Sequence, residues 1–435
     1  MARGRRTGFL VMLLGTGLFV FLGLGLERST PQGMLDFKVL YNGARCLTHQ
    51  CDPYNVNQLQ QFFEADGLVR PSDPPVILHV VIWYVYLPTT FLFTAPFSML
   101  PWGLACVLWT TITASGLTLA AFLIWDLAAN DAPVLSACFI GILLAGSEVI
   151  FAGGNAVGIV VSLCVIAVWC FLKNRFVAAG VVCLAISLVI KPHDAGLVWL
   201  YFLLAGSAYR KRALQTLAIT AVLGLAAFLW VSEASPHWLQ EMSYNLSTIS
   251  SHGDMNDPGP GSSVDRTSGM VIDLQSVLSI FRNDSRFYNP ASYLSCGALI
   301  LIWSLVTLRA RPSPANAWFA LAAIIPLSML VIYHKPYDAK LVLLTIPACA
   351  TLWIEGGPIG AIAISVTSVA VVFAADVTRA LFVILTRDLH PDTSQLFGKI
   401  LLVLISRPLS IILLVMALFY LWIYVRRTAT TISRA

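Results

Sequence analysis

ILHVVIWYVYLPTTFLFTAPFSML, residues 77–100, is apolar enough to enter a bilayer, and whether it crosses decides the topology of the whole chain. Proline stands at 88 and 96 inside it and at 101 just after it. Each proline removes a backbone donor and kinks a helix, and the groups it frees must be satisfied by protein at membrane depth. The stretch therefore reads as a pair of re-entrant or membrane-surface helices that do not cross.

Working outward, twelve other apolar segments remain: 8–26, 102–125, 133–150, 155–172, 176–190, 194–208, 213–231, 293–308, 316–333, 341–354, 358–375 and 408–425. Most approach the roughly 20 residues that a helix needs to span hydrocarbon. Short basic connections punctuate them: Arg3/Arg5/Arg6, Lys173/Arg175, Arg210-Lys211-Arg212, Arg309/Arg311 and Arg426-Arg427. Positive connections stay in the cytoplasm. Both termini are basic, so an even number of crossings is required, and twelve without 77–100 satisfies every basic turn. The first apolar run is long for a signal peptide and no Ala-x-Ala site follows, so it reads as a retained span.

Composition agrees. Of 435 residues, 58% are hydrophobic and 11% charged, and the mean hydropathy is +0.79. This is the composition of an integral membrane protein. The runs lack period-2 alternation, which excludes a transmembrane barrel. The net charge of +5 reports loop topology, and no nucleic-acid partner is expected. The expected fold is an all-α polytopic bundle of about twelve transmembrane helices with added outer-face amphipathic or re-entrant helices. It forms one integral membrane domain over 1–435, with outer loops 27–76, 232–292 and 376–407. Within the second loop, 250–269 is rich in Gly, Ser, Asp and Pro and is expected to be mobile. Cys46 and Cys51 lie five apart in the first outer loop, where they are either free or a disulfide.

With so little polar sequence, the outer-face clusters carry the function. Asp36 heads the polar segment after the first span, followed by Tyr41, Asn42 and Arg45 and then by Asp52-Pro53-Tyr54. A carboxylate there either caps a helix or acts as a general base on a hydroxyl presented at the membrane. Lys191-Pro192-His193-Asp194 closes one span, and Lys191 either snorkels or contacts a phosphate. Asp194 sits where the chain leaves that helix, so a lipid-linked phosphate is the expected partner of Lys191. His334-Lys335-Pro336-Tyr337-Asp338, after Tyr333, sets four polar side chains between two spans, and such groups at membrane depth tend to mark sites. Asp338 has a second reading as structural partner of Lys335 or Lys340. Asn155, after two glycines, either caps the next span or contributes to the site. No Walker A sequence, G-x-G-x-x-G, Asp-x-Asp pair or His/Cys metal cluster occurs. A soluble nucleotide-sugar donor has nowhere to bind, so any activated donor is lipid-linked.

The ordered set Asp36-Phe37, Asp52-Pro53-Tyr54, Pro74-Pro75, Gly154-Asn155, Lys191-Pro192 and Tyr333-His334-Lys335-Pro336-Tyr337-Asp338 resembles the family 87 glycosyltransferases across nearly the whole chain. That bacterial group includes polyprenol-phosphate-mannose-dependent mannosyltransferases and belongs to the polytopic GT-C superfamily. Gly154-Asn155 departs from the Gly-Gln more usual there. The resemblance implies inverting transfer of mannose or another hexose from a polyprenyl-phosphate donor to a lipid or glycan acceptor, at the outer face of the cytoplasmic membrane. It makes Asp36 the catalytic base and His334 a catalytic partner. Lys191, Lys335, Tyr337, Asp338, Asn155 and Tyr41 are assigned to substrate binding. No cofactor and no metal are expected; the partners are donor, acceptor and membrane lipids. The competing readings are a transporter or lipid flippase, with Lys191, Asp338 and Asp376 as its intramembrane charges, and a non-catalytic scaffold.

Overall fold

A computed structural model describes residues 2–30, 33–65, 75–260, 271–386, 389 and 391–433. Pro74, much of the 66–76 stretch and residues 261–269 of the expected mobile loop lie outside the described residues. The described residues are helical throughout apart from connections and one isolated antiparallel bridge, Ile272 to His334.

Among the described residues, nine helices are long and apolar enough to cross a membrane: Arg3–Ser29, Trp102–Ala128, Pro133–Gly153, Ala208–Ala234, Ser285–Arg309, Pro314–Val331, Pro336–Glu355, Gly357–Ala374 and Pro408–Thr430. The other three expected spans are the helices Val157–Lys173, Val177–Ile190 and Pro192–Leu204, of 17, 14 and 13 residues. At 1.5 Å per residue the last two reach only about 20 Å, short of the roughly 30 Å hydrocarbon core. They form a hairpin whose tip is Lys191, non-helical at φ −142° and followed by Pro192 at the first helical position. A hairpin this short sets its tip below the level reached by its longer neighbours.

Polar contacts sort the helix ends into two groups. At one end, Arg5 donates to Asn130 (2.5 Å) and Thr351 to Asp131 (2.9 Å). Lys173 pairs with Asp126 (3.1 Å), Arg212 donates to Asn174 (2.6 Å), and Arg427 pairs with Glu355. Four of the five basic connections therefore share this end, and the Arg309/Arg311 turn adjoins it where a Cβ on Gly206 would stand 3.2 Å from Pro312. Asp36, Asn155, Lys191 and His334 gather at the other.

The 77–100 stretch stays at the Asp36 end. It breaks into Pro75–Ile82 and Thr89–Ser98, with residues 83–88 non-helical between them and Pro88 opening the second helix. Thr89 Oγ1 donates to Val189 O (2.6 Å), and Leu100 O accepts from Tyr41 (2.7 Å). The middle and the C-terminal end of the stretch are thus tied to one end of the bundle.

Cys46 and Cys51 are joined in a disulfide, which closes the C-terminal turn of the amphipathic helix Leu35–Thr48. In the bundle, the first span lies directly on the third long helix. A Cβ added to Gly15 would stand 2.6 Å from Gly141 Cα, so the two backbones touch where both residues are glycine.

Candidate active site

The site begins with how Leu35–Thr48 is anchored. Met34 adopts φ 61°, reversing the chain after the first span, and its N–H donates to Ala152 O (2.5 Å). Phe37 is fully buried, stacked on Trp109 at 4.3 Å and Trp102 at 5.5 Å between ring centroids. Aromatic pairs of this kind contribute about 0.5–1.5 kcal/mol beyond burial. The preceding residue, Asp36, is thereby aimed at the turn 153–155. Gly154 makes that approach possible: at φ +64°, a Cβ there would fall 2.7 Å from Phe37 Cβ. Trp109 Nε1 closes the arrangement by donating to Gly154 O (2.9 Å).

Asp36 is no helix cap. It is the second helical residue, and its Oδ2 accepts from Asn155 Nδ2 at 2.8 Å. Asn155 Oδ1 in turn accepts from Val157 N (2.9 Å) at the start of the next helix. Asp36 keeps a narrow window to solvent but is otherwise enclosed by protein. Burial raises its pKa above the ordinary 3.8, against the Asn155 hydrogen bond and the charges of Lys335 and Lys191.

Beside it lies a network drawn from two distant turns. Lys191 Nζ donates to Asp338 Oδ1 (2.5 Å) and pairs with Asp194 Oδ2 (3.1 Å), with the ring of Tyr337 5.6 Å away. This corrects the expectation that Lys191 waits for a phosphate as its counter-ion: two carboxylates already hold it. Asp338 Oδ2 also accepts from the Lys335 backbone N–H (2.7 Å), so Lys191, not the side chain of Lys335 or Lys340, is its partner. Lys335 places its ammonium 5.2 Å from the Tyr333 ring, and burial draws it down to about 8 against the pull of Asp36 and Asp338. His334 is fully buried and exchanges backbone hydrogen bonds with Ile272 (2.8 and 3.1 Å), which ties it to the 232–292 loop. Its Nδ1 bonds to Ile332 O (2.7 Å) and its Nε2 lies 3.2 Å from Asp194 Oδ1. Burial opposes the His334 imidazolium, but Asp194 outweighs it and raises the pKa above 6.5.

Of the assigned residues, Asp36, Asn155, Lys191, His334, Lys335, Tyr337 and Asp338 converge. Tyr41 does not. It lies on another side of the same helix, edge-on to Trp102 at 5.1 Å, and its hydroxyl is held by Leu100 O and Arg45 (3.1 Å). Tyr41 is corrected to a packing residue. Three contributors went unassigned. Tyr86, in the break before Pro88, interacts electrostatically with Asp36, Lys191, Asp338 and Asp194; its place in a polar-capable kink was the available signal. Asp194 and its neighbour His193 join His334 in a group whose ligand-type atoms all lie within 4.8 Å of one another. The expectation of no metal-type cluster overlooked this one because it assembles from turns far apart in sequence.

Asp376, named in the transporter alternative, belongs elsewhere. It meets Lys340 (3.3 Å) and Arg379 (3.6 Å) and accepts from Val149 N (3.2 Å).

The fold and site define a polytopic helical membrane protein with a built polar centre at one end. The family model for Glycosyltransferase family 87 matches residues 84–332, more than half the chain, and the protein belongs to that family. The matched stretch holds Tyr86, Asn155, Lys191, His193 and Asp194; Asp36 lies before it and His334 through Asp338 after it. No curated protein and no solved structure matches the chain.

Proposed function

We propose that this membrane glycosyltransferase moves a hexose from a polyprenyl-phosphate donor to an acceptor hydroxyl at the Asp36 end of the bundle, with inversion. The observation that carries the reading is Asp36 itself: a mostly enclosed carboxylate, oriented by Asn155 at 2.8 Å, with Lys335 and Lys191 in electrostatic reach. A raised carboxylate pKa suits a general base, which works best when its pKa moves toward the operating pH.

In the proposed step Asp36 takes the acceptor hydroxyl proton as the oxygen attacks the anomeric carbon. The bond from that carbon to the donor phosphate breaks on the opposite face, and the phosphate leaves with the electron pair. Lys335, Lys191 and His334 supply positive charge there, arranged before the reaction begins. Asn155 fixes the Asp36 rotamer, and Asp338 holds Lys191. A recessed Lys191 suits a donor whose phosphate sits at the membrane surface with its chain in the bilayer.

The basic turns collected at the opposite end support a cytoplasmic placement for that end. The Cys46–Cys51 disulfide supports an oxidising compartment for the Asp36 end. Together they favour the outer face of a cytoplasmic membrane.

The test is donor class. Purified protein in lipid vesicles should transfer label from a short polyprenyl-phosphate hexose to an extracted lipid or glycan acceptor, and should leave nucleotide sugars untouched. Turnover of a nucleotide sugar in the absence of any polyprenyl phosphate would refute the lipid-donor assignment.

A further inference from the structure

His193, Asp194 and His334 meet beside Lys191 in an arrangement that hydrogen bonding alone leaves incomplete. The Asp194 side chain is fully buried, and neither of its oxygens has a hydrogen-bond donor in good alignment. Its Oδ2 faces the Lys191 ammonium at 3.1 Å. Its Oδ1 faces two imidazole nitrogens, His334 Nε2 at 3.2 Å and His193 Nε2 at 3.9 Å.

His334 deepens the problem. With its Nδ1–H given to the Ile332 carbonyl at 2.7 Å, His334 turns Nε2 toward a carboxylate oxygen, where a second proton or a metal ion completes the contact. A proton there pairs His334 with Asp194, and a metal ion in its place takes both groups as ligands. An imidazole whose far N–H is fixed by a backbone carbonyl is also the usual form of a metal-binding histidine. The separation fits: ligand atoms about 2.0–2.1 Å from a tetrahedral ion stand about 3.3 Å from each other. His193 is the adjustable member, since about a third of its side chain is exposed, and it opens the group toward solvent.

Charge points the same way. With the His334 ring neutral, Lys191 and Lys335 set two positive charges against the three carboxylates Asp36, Asp194 and Asp338. Lys191 opposes a second cation, but its charge is engaged by Asp338 Oδ1 at 2.5 Å and by Asp194 Oδ2, away from the histidines.

We infer that His193 Nε2, Asp194 Oδ1 and His334 Nε2 form a binding site for a divalent transition ion of the zinc or manganese class. Two imidazoles and one carboxylate select such ions over magnesium or calcium, which favour all-oxygen shells. Three protein ligands leave further positions open, as in sites where a metal meets a substrate oxygen. Resting on the function proposed above, the open position takes an oxygen of the donor phosphate next to Lys191.

The experiment uses the full-length protein in detergent, stripped with chelator and titrated with Co²⁺. The expected result is one equivalent of Co²⁺ with a d–d absorption spectrum of nitrogen and oxygen ligation, displaced by Zn²⁺. Asp36→Asn should bind equally well. His193→Ala should lose stoichiometric binding while its elution and unfolding temperature stay unchanged, because the side chain is partly exposed. Absence of Co²⁺ binding by the wild-type protein, or undiminished binding by His193→Ala, overturns the site; a proton on His334 then fills the gap. With Mn²⁺ bound, the phosphorus resonance of a short polyprenyl phosphate should broaden in wild type and not in His193→Ala. Equal line widths would remove the phosphate contact. None of these readouts involves sugar transfer, so a failed ion site and a failed transferase assignment are separately visible.

Discussion

Two buried lysines, Lys191 and Lys340, show how the same side chain serves opposite ends in one bundle. Lys340 Nζ meets Gly146 O (2.8 Å), Ala374 O (2.5 Å) and Asp376 Oδ1 (3.3 Å). Two of these acceptors are carbonyls at the ends of Pro133–Ala145 and Gly357–Ala374, which helix geometry leaves without intrahelical donors. Lys340 is a clamp joining helix ends. Lys191 meets two carboxylates from different turns and an aromatic face. Its partners are charged, and one of them, Asp194, is itself poorly satisfied. The difference is between a cation spent on backbone and one held amid groups still able to take a ligand.

Substitutions should separate the two. Lys191→Met is expected to reduce transfer by about 10²–10³, the cost of losing one prearranged stabiliser of developing negative charge. Lys191→Arg should recover part of it. Rates are to be measured per amount of folded protein, because the Met variant also leaves Asp194 and Asp338 without their lysine. Lys340→Met should destabilise by about 3 kcal/mol, since Asp376 loses a buried partner and keeps Arg379 as its one cation, with the Val149 N–H. Its turnover per folded molecule should stay near wild type. A stable but inactive Lys340→Met would break the comparison. Tyr41→Phe sharpens it at the small end: losing the bond to Leu100 O should cost about 0.5–1.5 kcal/mol in stability and leave the Michaelis constant for donor unchanged.

The helices were readable because hydropathy and length are one-dimensional signals. Pro88 disclosed the break at 83–88 by the same local logic, whereas Pro96 stands inside the helix Thr89–Ser98. Asp36 and Asn155 were each legible as polar residues at span ends, but their 2.8 Å contact bridges 119 positions. The Lys191–Asp338 pair bridges 147, and a chain read in order offered Lys191 only Asp194. Tyr41 was misassigned for a different reason. Sharing a helix with Asp36 does not place it on the same face, and five residues along an α-helix amount to about 140° of rotation.

Asp36 also fixes the pH behaviour. As a base it works only when ionised, so transfer should fall as pH drops through its folded pKa, and that acid limb should lie above 3.8. Stability runs the other way. A carboxyl with a raised folded pKa favours the protonated folded state, so its contribution is present below 3.8 and is lost as pH rises through the folded value. Asp36→Asn lacks this loss, and it should be at least as stable as wild type at neutral pH in thermal unfolding.

The most direct measurement is single-turnover transfer by Asp36→Asn at neutral pH, with protein whose unfolding temperature matches or exceeds wild type. The asparagine keeps the size and an acceptor oxygen but takes up no proton at that pH. The account predicts a rate lower by about 10²–10⁴, with donor affinity little changed. A folded Asp36→Asn protein that transfers sugar at the wild-type rate would contradict it.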